Sequence, residues 1–303
     1  MKSKTLTPDL AALLVVVVWG LNFPFLKLAL SGFGLLPFTF LRFSGMLALS
    51  WFVLAFRRGG GIARADWPRV IVAGLFGFTL YISGSLAGIY FSTAFSNALL
   101  IATAPVFVIV LLGLFRVERI GAWRAAGMAV SFGGIAIFVG ALAGGSLLGN
   151  LINLAAALCY AAYSVINKPL VTRYPATVVT AWTLTAGSAP ILLVSASSLF
   201  TQDWSRVTSA DWAILAWSVV MPVYAAWTVW SWVQSKVGVA RPAVFMYLVP
   251  VVAGAVSYFL VAERFGPLKV LGAAVILAGV MISRRAVRAP GEVQATNPRL
   301  AAN

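Results

Sequence analysis

The sequence predicts an all-α integral membrane protein of ten transmembrane helices, built as two inverted five-helix repeats with both termini cytoplasmic. Three observations predict it: an apolar composition divided into span-length runs, basic residues gathered on one side of those runs, and self-similarity at a constant offset. Of the 303 residues, 61% are hydrophobic and 10% charged, whereas a soluble domain carries roughly 45–50% apolar and about 25% charged residues. One crossing of a hydrocarbon core takes roughly 20 apolar residues. Ten such runs follow in order, at 9–29, 35–56, 68–91, 95–115, 123–142, 149–171, 177–200, 210–235, 240–262 and 266–284. Little chain remains for a soluble domain. Residues 1–145 make the first repeat and 146–288 the second, and 289–303 are expected to be a disordered cytoplasmic tail.

The formal net charge of +15 would suggest nucleic acid in a soluble chain, but these basic residues sit where spans end. Lys2, Lys4, Arg57, Arg58, Arg64, Arg69, Arg116, Arg119, Arg124, Lys168, Arg173, Lys236, Arg241, Arg284, Arg285, Arg288 and Arg299 fall on one side of the predicted topology. Only Arg206, Arg264 and Lys269 fall on the other. The positive-inside rule makes the first side cytoplasmic, so an even number of spans follows and no nucleic-acid partner is implied. Lys2 and Lys4 before an apolar run superficially fit a secretory signal. That run is longer than a signal's apolar core and has an internal counterpart, so it is read as the first span. The lone Cys159 allows no internal disulfide and no thiol metal site.

A shift of about 145 residues lays the second half on the first. Ala65-Asp66-Trp67 meets Ala210-Asp211-Trp212, Pro105 meets Pro250, Glu118-Arg119 meets Glu263-Arg264, and Gly121, Gly127 and Gly134 meet Gly266, Gly272 and Gly279. A shift of about 141 pairs Trp19 with Tyr160 and Lys27 with Lys168, the difference being absorbed in loops. Five spans per half is an odd number, so the second copy must enter the membrane upside down. Inverted repeats are the architecture of alternating access around a midplane site, and a duplicated structural bundle would have no need of opposed halves.

Residues Trp19-Gly20-Leu21-Asn22-Phe23, Leu41-Arg42-Phe43, Asn97-Ala98-Leu99-Leu100 running into Ala104-Pro105, and Glu118-Arg119-Ile120-Gly121 carry a resemblance over nearly the whole chain. The chain resembles the EamA-type members of the drug/metabolite transporter superfamily, and within it looks most like the YddG-type bacterial exporters of aromatic amino acids. The resemblance implies ten helices in a bacterial inner membrane, cytoplasmic termini and efflux as the usual direction. It also implies a central substrate cavity formed by spans 1, 3, 4, 6, 8 and 9, which adds Asn97 of span 4 and Phe245 of span 9 to the candidate lining.

Within spans, the residues able to meet a substrate are polar and aromatic. Positions i, i+3 and i+4 share a helix face. Such faces gather Trp19, Asn22 and Phe23 in span 1, and Tyr160, Tyr163, Ser164 and Asn167 in span 6. Phe78, Tyr81 and Ser85 come from span 3, and Tyr224, Trp227 and Thr228 from span 8. Rings give stacking and apolar contact while a few amides and hydroxyls can orient a polar head group, so the residues suit a planar, partly polar small molecule. That it is an amino acid, an aromatic one, is what the resemblance implies. Interfacial belts also use Trp and Tyr, and Trp67, Trp204 and Trp212 near span ends are read that way. Aromatic faces attract flat organic cations, which keeps export of drugs or other metabolites as an alternative, with a passive pore behind it.

All seven acidic residues fall at span ends or in tails and histidine is absent, so no buried carboxylate relay for a coupling ion is expected. Without histidine no Ser-His-Asp triad can form, and no P-loop or HExxH pattern is present. The chain is read as no enzyme, with no catalytic residue, cofactor or metal site, and a monomer is expected to suffice. Lys27 and Lys168 lie near span ends where they can snorkel, and as repeat mates they are candidate gates; both readings stay open. Pro105 and Pro250, inside spans 4 and 9, are candidate bending points, and Pro24 and Pro222 lack repeat mates. Arg42 is expected to hydrogen-bond backbone carbonyls of the bundle, with a substrate carboxylate as the minority reading. Glu118 and Glu263 are expected to cap the helices that follow them or to pair with neighbouring arginines. The small residues of spans 5 and 10 suit either an internal seam or a dimer contact.

Overall fold

The computed structural model describes residues 7–56, 61–115, 121–141, 146–237 and 245–285, and among them every regular element is helical. Eight runs are long and apolar enough to cross a membrane: α1 (Pro8–Gly32), α2 (Leu35–Ala55), α3 (Arg64–Phe91), α4 (Ala94–Leu114), α5 (Ala122–Gly140), α6 (Leu147–Arg173), α7 (Ala176–Leu199) and α8 (Ser209–Trp230). Two shorter apolar helices follow, α9 (Phe245–Leu260) and α10 (Pro267–Arg285). Helix starts obey local capping rules: Thr7 and Ser146 accept from the amides of Leu10 and Gly149, and Thr208 with Asp211 closes a capping box on α8. The predicted tail, Glu118 and the loop bearing Arg241 lie outside the described residues.

The most extensive helix pairing among the described residues is between α5 and α10, and glycine makes it possible. A Cβ at Gly127 would strike the backbone of Ser283, and one at Gly279 the backbone of Ser131. A Cβ at Gly134 would lie 2.6 Å from the Ile276 nitrogen, and one at Gly272 would lie 2.7 Å from that of Phe138. Numbers rise along one helix as they fall along the other, so the pair is antiparallel. The repeat offset converts Gly127–Ser283 into Gly272–Phe138 and Gly134–Ile276 into Gly279–Ser131. A contact set that maps onto itself when its two halves are exchanged is a two-fold interface, and antiparallel mates mean that these equivalent helices are inverted. The small-residue stripes thus close an internal seam.

Two other pairs of equivalent helices depart from α geometry at matching places. In α3 the stretch Leu75–Ile82 is wound as π-helix, and in α8 so is Met221–Ala225; the repeat offset lays one on the other and puts Gly77 at the place of Pro222. Turns of this kind concentrate at functional sites. In α4 the α-helix stops at Ile101 and resumes at Ala104, with Pro105 in the new first turn. α9 opens as the 3-10 turn Phe245–Tyr247 and becomes α-helical from Leu248, with Pro250 in its first turn. Pro105 and Pro250 were expected as kinks inside continuous spans. Pro105 instead starts the second piece of a broken helix, where the missing N–H leaves no intrahelical hydrogen bond to lose, while Pro250 lies just after the change from 3-10 to α winding.

Candidate functional site

The π-wound stretch of α3 faces α6, a helix of the other repeat. Phe78 and Tyr81 are three apart on α3, as are Tyr160 and Tyr163 on α6, so each pair shares a face and the two faces meet. The Tyr81 and Tyr160 rings lie 4.7 Å apart between centroids, and Phe78 and Tyr163 6.1 Å apart edge-on. Tyr160 and Tyr163 are 6.3 Å apart, so the four rings form one aromatic wall bridging the halves. Gly77 makes room for it: a Cβ there would lie 2.5 Å from the Tyr163 ring. The Tyr163 hydroxyl accepts from the Asn167 side chain at 3.2 Å. Phe78 is buried, while the three tyrosines keep partial exposure.

Other candidate residues lie outside this wall. The Trp19 indole N–H donates to the Pro222 carbonyl at 3.0 Å, and its ring packs 5.2 Å from Trp230. It therefore ties α1 to the π stretch of α8, where helical hydrogen bonding is irregular. Phe245 joins the same α1–α8 cluster. Ser164 donates to the Tyr160 carbonyl of its own helix at 2.8 Å. Asn22 keeps its Oδ1 enclosed without a hydrogen-bond partner among the described residues. Tyr224 is half-buried in α8, and the Trp227 side chain lies outside the described residues.

Ser85 and Asn97 belong to a polar knot between α3, α4 and α6. The Ser85 hydroxyl donates to Asn97 Oδ1 at 3.1 Å, and Asn97 Nδ2 donates to the Ser85 carbonyl at 2.9 Å and to Asn153 Oδ1. Asn97 is 0% exposed, so in this conformation its amide joins helices. Asn153 and Asn150, the latter accepting from Ser92 at 2.8 Å, were missed as candidates. Their signal was the same as that of Asn97, an amide inside an apolar run. Gly88 is required here, because a Cβ would overlap Asn153.

The gate candidates separate. Lys27 donates to the carbonyls of Ile89, Tyr90 and Ser92 at 2.8, 3.2 and 2.7 Å, closing the C-terminus of α3. Lys168 is exposed and makes no hydrogen bond or ion pair among the described residues. Glu263 caps a different helix from the one expected: its carboxylate accepts from the amides of Ala94 and Phe95 at 2.6 and 3.2 Å, at the start of α4. The chain reverses between α9 and α10, and that turn carries the side chain back across the sequence. Asp66 and Asp211 are buried, but at helix starts: Asp66 accepts from Arg173 at 2.9 Å and Tyr174 at 2.7 Å, and Asp211 from Thr208. Lys269, assigned by sequence to a loop side, is fully buried at the start of α10 with its Nζ 5.3 Å from the Phe138 ring centroid.

Arg42 also departs from expectation. It is 6% exposed, yet no hydrogen bond or ion pair of its guanidinium occurs among the described residues, and its Nε is enclosed without a partner. Among the described residues, none of the backbone carbonyls expected to hold it accepts from its Nε.

The EamA-like transporter family model matches residues 6–140 and again 147–285, one match per repeat. The chain is 30% identical over 282 residues to a probable terminal-alkyne amino-acid exporter of Streptantibioticus cattleyicolor, covering 91% of this chain and 92% of that one. It is 29% identical over 302 residues to a probable amino-acid metabolite efflux pump of Salmonella typhimurium, covering 92% and 97%. A similarly named protein of Escherichia coli is 28% identical over 288 residues, covering 90% and 93%. A solved crystal structure superposes with a TM-score of 0.58 at 23% identity, over 92% of this chain and 98% of that chain, and shares its fold.

Proposed function

The chain belongs to the EamA-like transporter family, and from that premise we propose that it exports amino acids with aromatic side chains across a bacterial inner membrane by alternating access. The single observation that carries the substrate is the wall of Phe78, Tyr81, Tyr160 and Tyr163, contributed by both repeats, in which the three tyrosines keep partial exposure. Flat rings stack well on such a surface. Relatives named as amino-acid exporters and efflux pumps favour the same substrate class. α9 and α10 are taken as the ninth and tenth spans, which returns both termini to the basic, cytoplasmic side. One copy of the chain contains both repeats and suffices for the cycle. Among the described residues no carboxylate lies mid-span, which disfavours organic cations.

Purified protein in liposomes loaded with phenylalanine is expected to take up labelled phenylalanine and tryptophan by saturable counterflow, and Tyr81→Ala and Tyr163→Ala are each expected to weaken it at least tenfold. Flux that neither saturates nor responds to trans substrate would make the protein a pore. Competition by a flat organic dication but by neither amino acid would reassign the substrate.

A further inference from the structure

Arg42 stands on α2, about 10 Å below its start at 1.5 Å per residue, deeper than its side chain can snorkel to either surface. The same face of α2 presents Phe43 and Met46, which pack on Phe78, Leu184 and Val219 of α3, α7 and α8. A buried cation needs an opposite charge or several hydrogen bonds, and among the described residues Arg42 has neither. Phe43 and Met46, beside Arg42 on α2, share one cluster with Phe78 and Tyr163 of the aromatic wall. The guanidinium thus sits beside the aromatic wall with its Nε unpartnered among the described residues. A buried cation without a partner is complementary to an anion, and guanidinium geometry matches a carboxylate in two parallel hydrogen bonds. Asn167, which donates to Tyr163, keeps its Oδ1 unpartnered, an acceptor of the kind an ammonium group needs.

We propose that Arg42 is the residue that binds the α-carboxylate of the transported amino acid, its side chain lying along the wall formed by Tyr81, Tyr160, Tyr163 and Phe78. This rests on the amino-acid reading above and assigns its polar half. It makes a counterintuitive demand: with no ligand present, the charge of Arg42 destabilises the protein rather than holding it together.

The test is thermal unfolding of the full-length protein in detergent, with phenylalanine, phenylalaninamide and phenethylamine as probes, in chloride and in gluconate buffers. The parent is expected to be stabilised by phenylalanine at concentrations at least tenfold below those needed for the amide or the amine. Arg42→Met is expected to melt at the same or a higher temperature than the parent without ligand, and to lose the preference for the acid over the amide. Arg42→Lys is expected to keep part of that preference, since charge remains but the fork is lost. The proposal is overturned if Arg42→Met melts several degrees lower in both buffers, the mark of a structural arginine. It is also overturned if the acid preference survives in Arg42→Met, or if chloride alone stabilises the parent through Arg42 while phenylalanine does not. Equal response of the parent to phenylalanine and its amide, with counterflow intact, sinks Arg42 and spares the exporter. Absent counterflow sinks the exporter reading itself.

Discussion

Lys27 and Lys168 occupy equivalent places in the two repeats and do opposite things. Lys27 is drawn inward, its ammonium donating to three carbonyls at the end of α3, where the helix has acceptors left unpaired. Lys168 stands exposed near the end of α6. The end of the molecule that holds Lys27 is fastened in other ways too: Glu263 caps α4, Ser92 binds Asn150, and Gln202 accepts from the Gly34 amide at 2.8 Å. At the opposite end Asp66 accepts from Arg173 and Tyr174, and the Tyr174 hydroxyl accepts from the Ala63 amide at 3.2 Å. Two copies of one motif in two environments are what an inverted-repeat transporter requires, because exchanging those environments converts one state into the other. On the alternating-access reading proposed above, the two lysines are one latch seen closed and open, with the Lys27 side shut.

The largest effect should fall on that latch. Lys27→Met removes three charge-assisted hydrogen bonds to helix-end carbonyls, and even with water replacing part of them the loss should be about 3 kcal/mol. Lys168→Met should stay within about 0.5 kcal/mol of the parent, as surface changes do. Reversible unfolding of both variants in mixed micelles checks the pair. Equal costs would break the comparison, whereas a transport defect in Lys168→Met without a stability defect would sharpen it, since that lysine would then be needed only in the alternate state.

A smaller effect should follow from Glu263→Gln. The carboxylate accepts from two amides at the N-terminus of α4, where the partial positive charge of the helix favours an anion. Gln keeps one acceptor and turns an N–H toward the second amide, so a loss of about 1–2 kcal/mol is expected. If this end is the closed gate, accessibility of a cysteine introduced at Ser92 should rise in the same variant. Unchanged labelling would separate the cap from the seal.

What the sequence revealed and hid follows from the same asymmetry. The two-fold seam was legible because Gly127, Gly134, Gly272 and Gly279 must be glycine wherever backbones touch, in any state of the cycle. The paired π stretches were not: that winding arises from packing, and their repeat mates, Gly77 and Pro222, share no side chain to betray equivalence. Asn97 had the chemistry of a ligand-binding residue, yet polarity alone could not distinguish a cavity wall from the knot it forms with Ser85 and Asn153. Lys27 and Lys168 are identical as letters, and which is engaged depends on the helix-end carbonyls that the fold brings to Lys27. Arg42 was assigned backbone partners, with a substrate carboxylate as the minority reading. A sequence shows that a cation is buried but not which acceptors its side chain can reach, and among the described residues its Nε reaches none.

The smallest effect concerns the turn that carries Glu263. Ala262 has φ of 55°, a left-handed conformation that ends α9, while the amides of Val261 and Glu263 both bond the Ser257 carbonyl at 3.1 Å. That reversal places the Glu263 carboxylate over the start of α4. A Cβ in this conformation costs roughly 1 kcal/mol or slightly more, which glycine escapes. Ala262→Gly should therefore stabilise the protein by about 1 kcal/mol. It should do so without altering the spacing of the turn, so the gain should persist in the Glu263→Gln background, the turn and the cap contributing independently. Should Ala262→Gly instead weaken the protein, the added freedom would be loosening the carboxylate, and the strained alanine would be a part of the seal that holds Glu263 on α4.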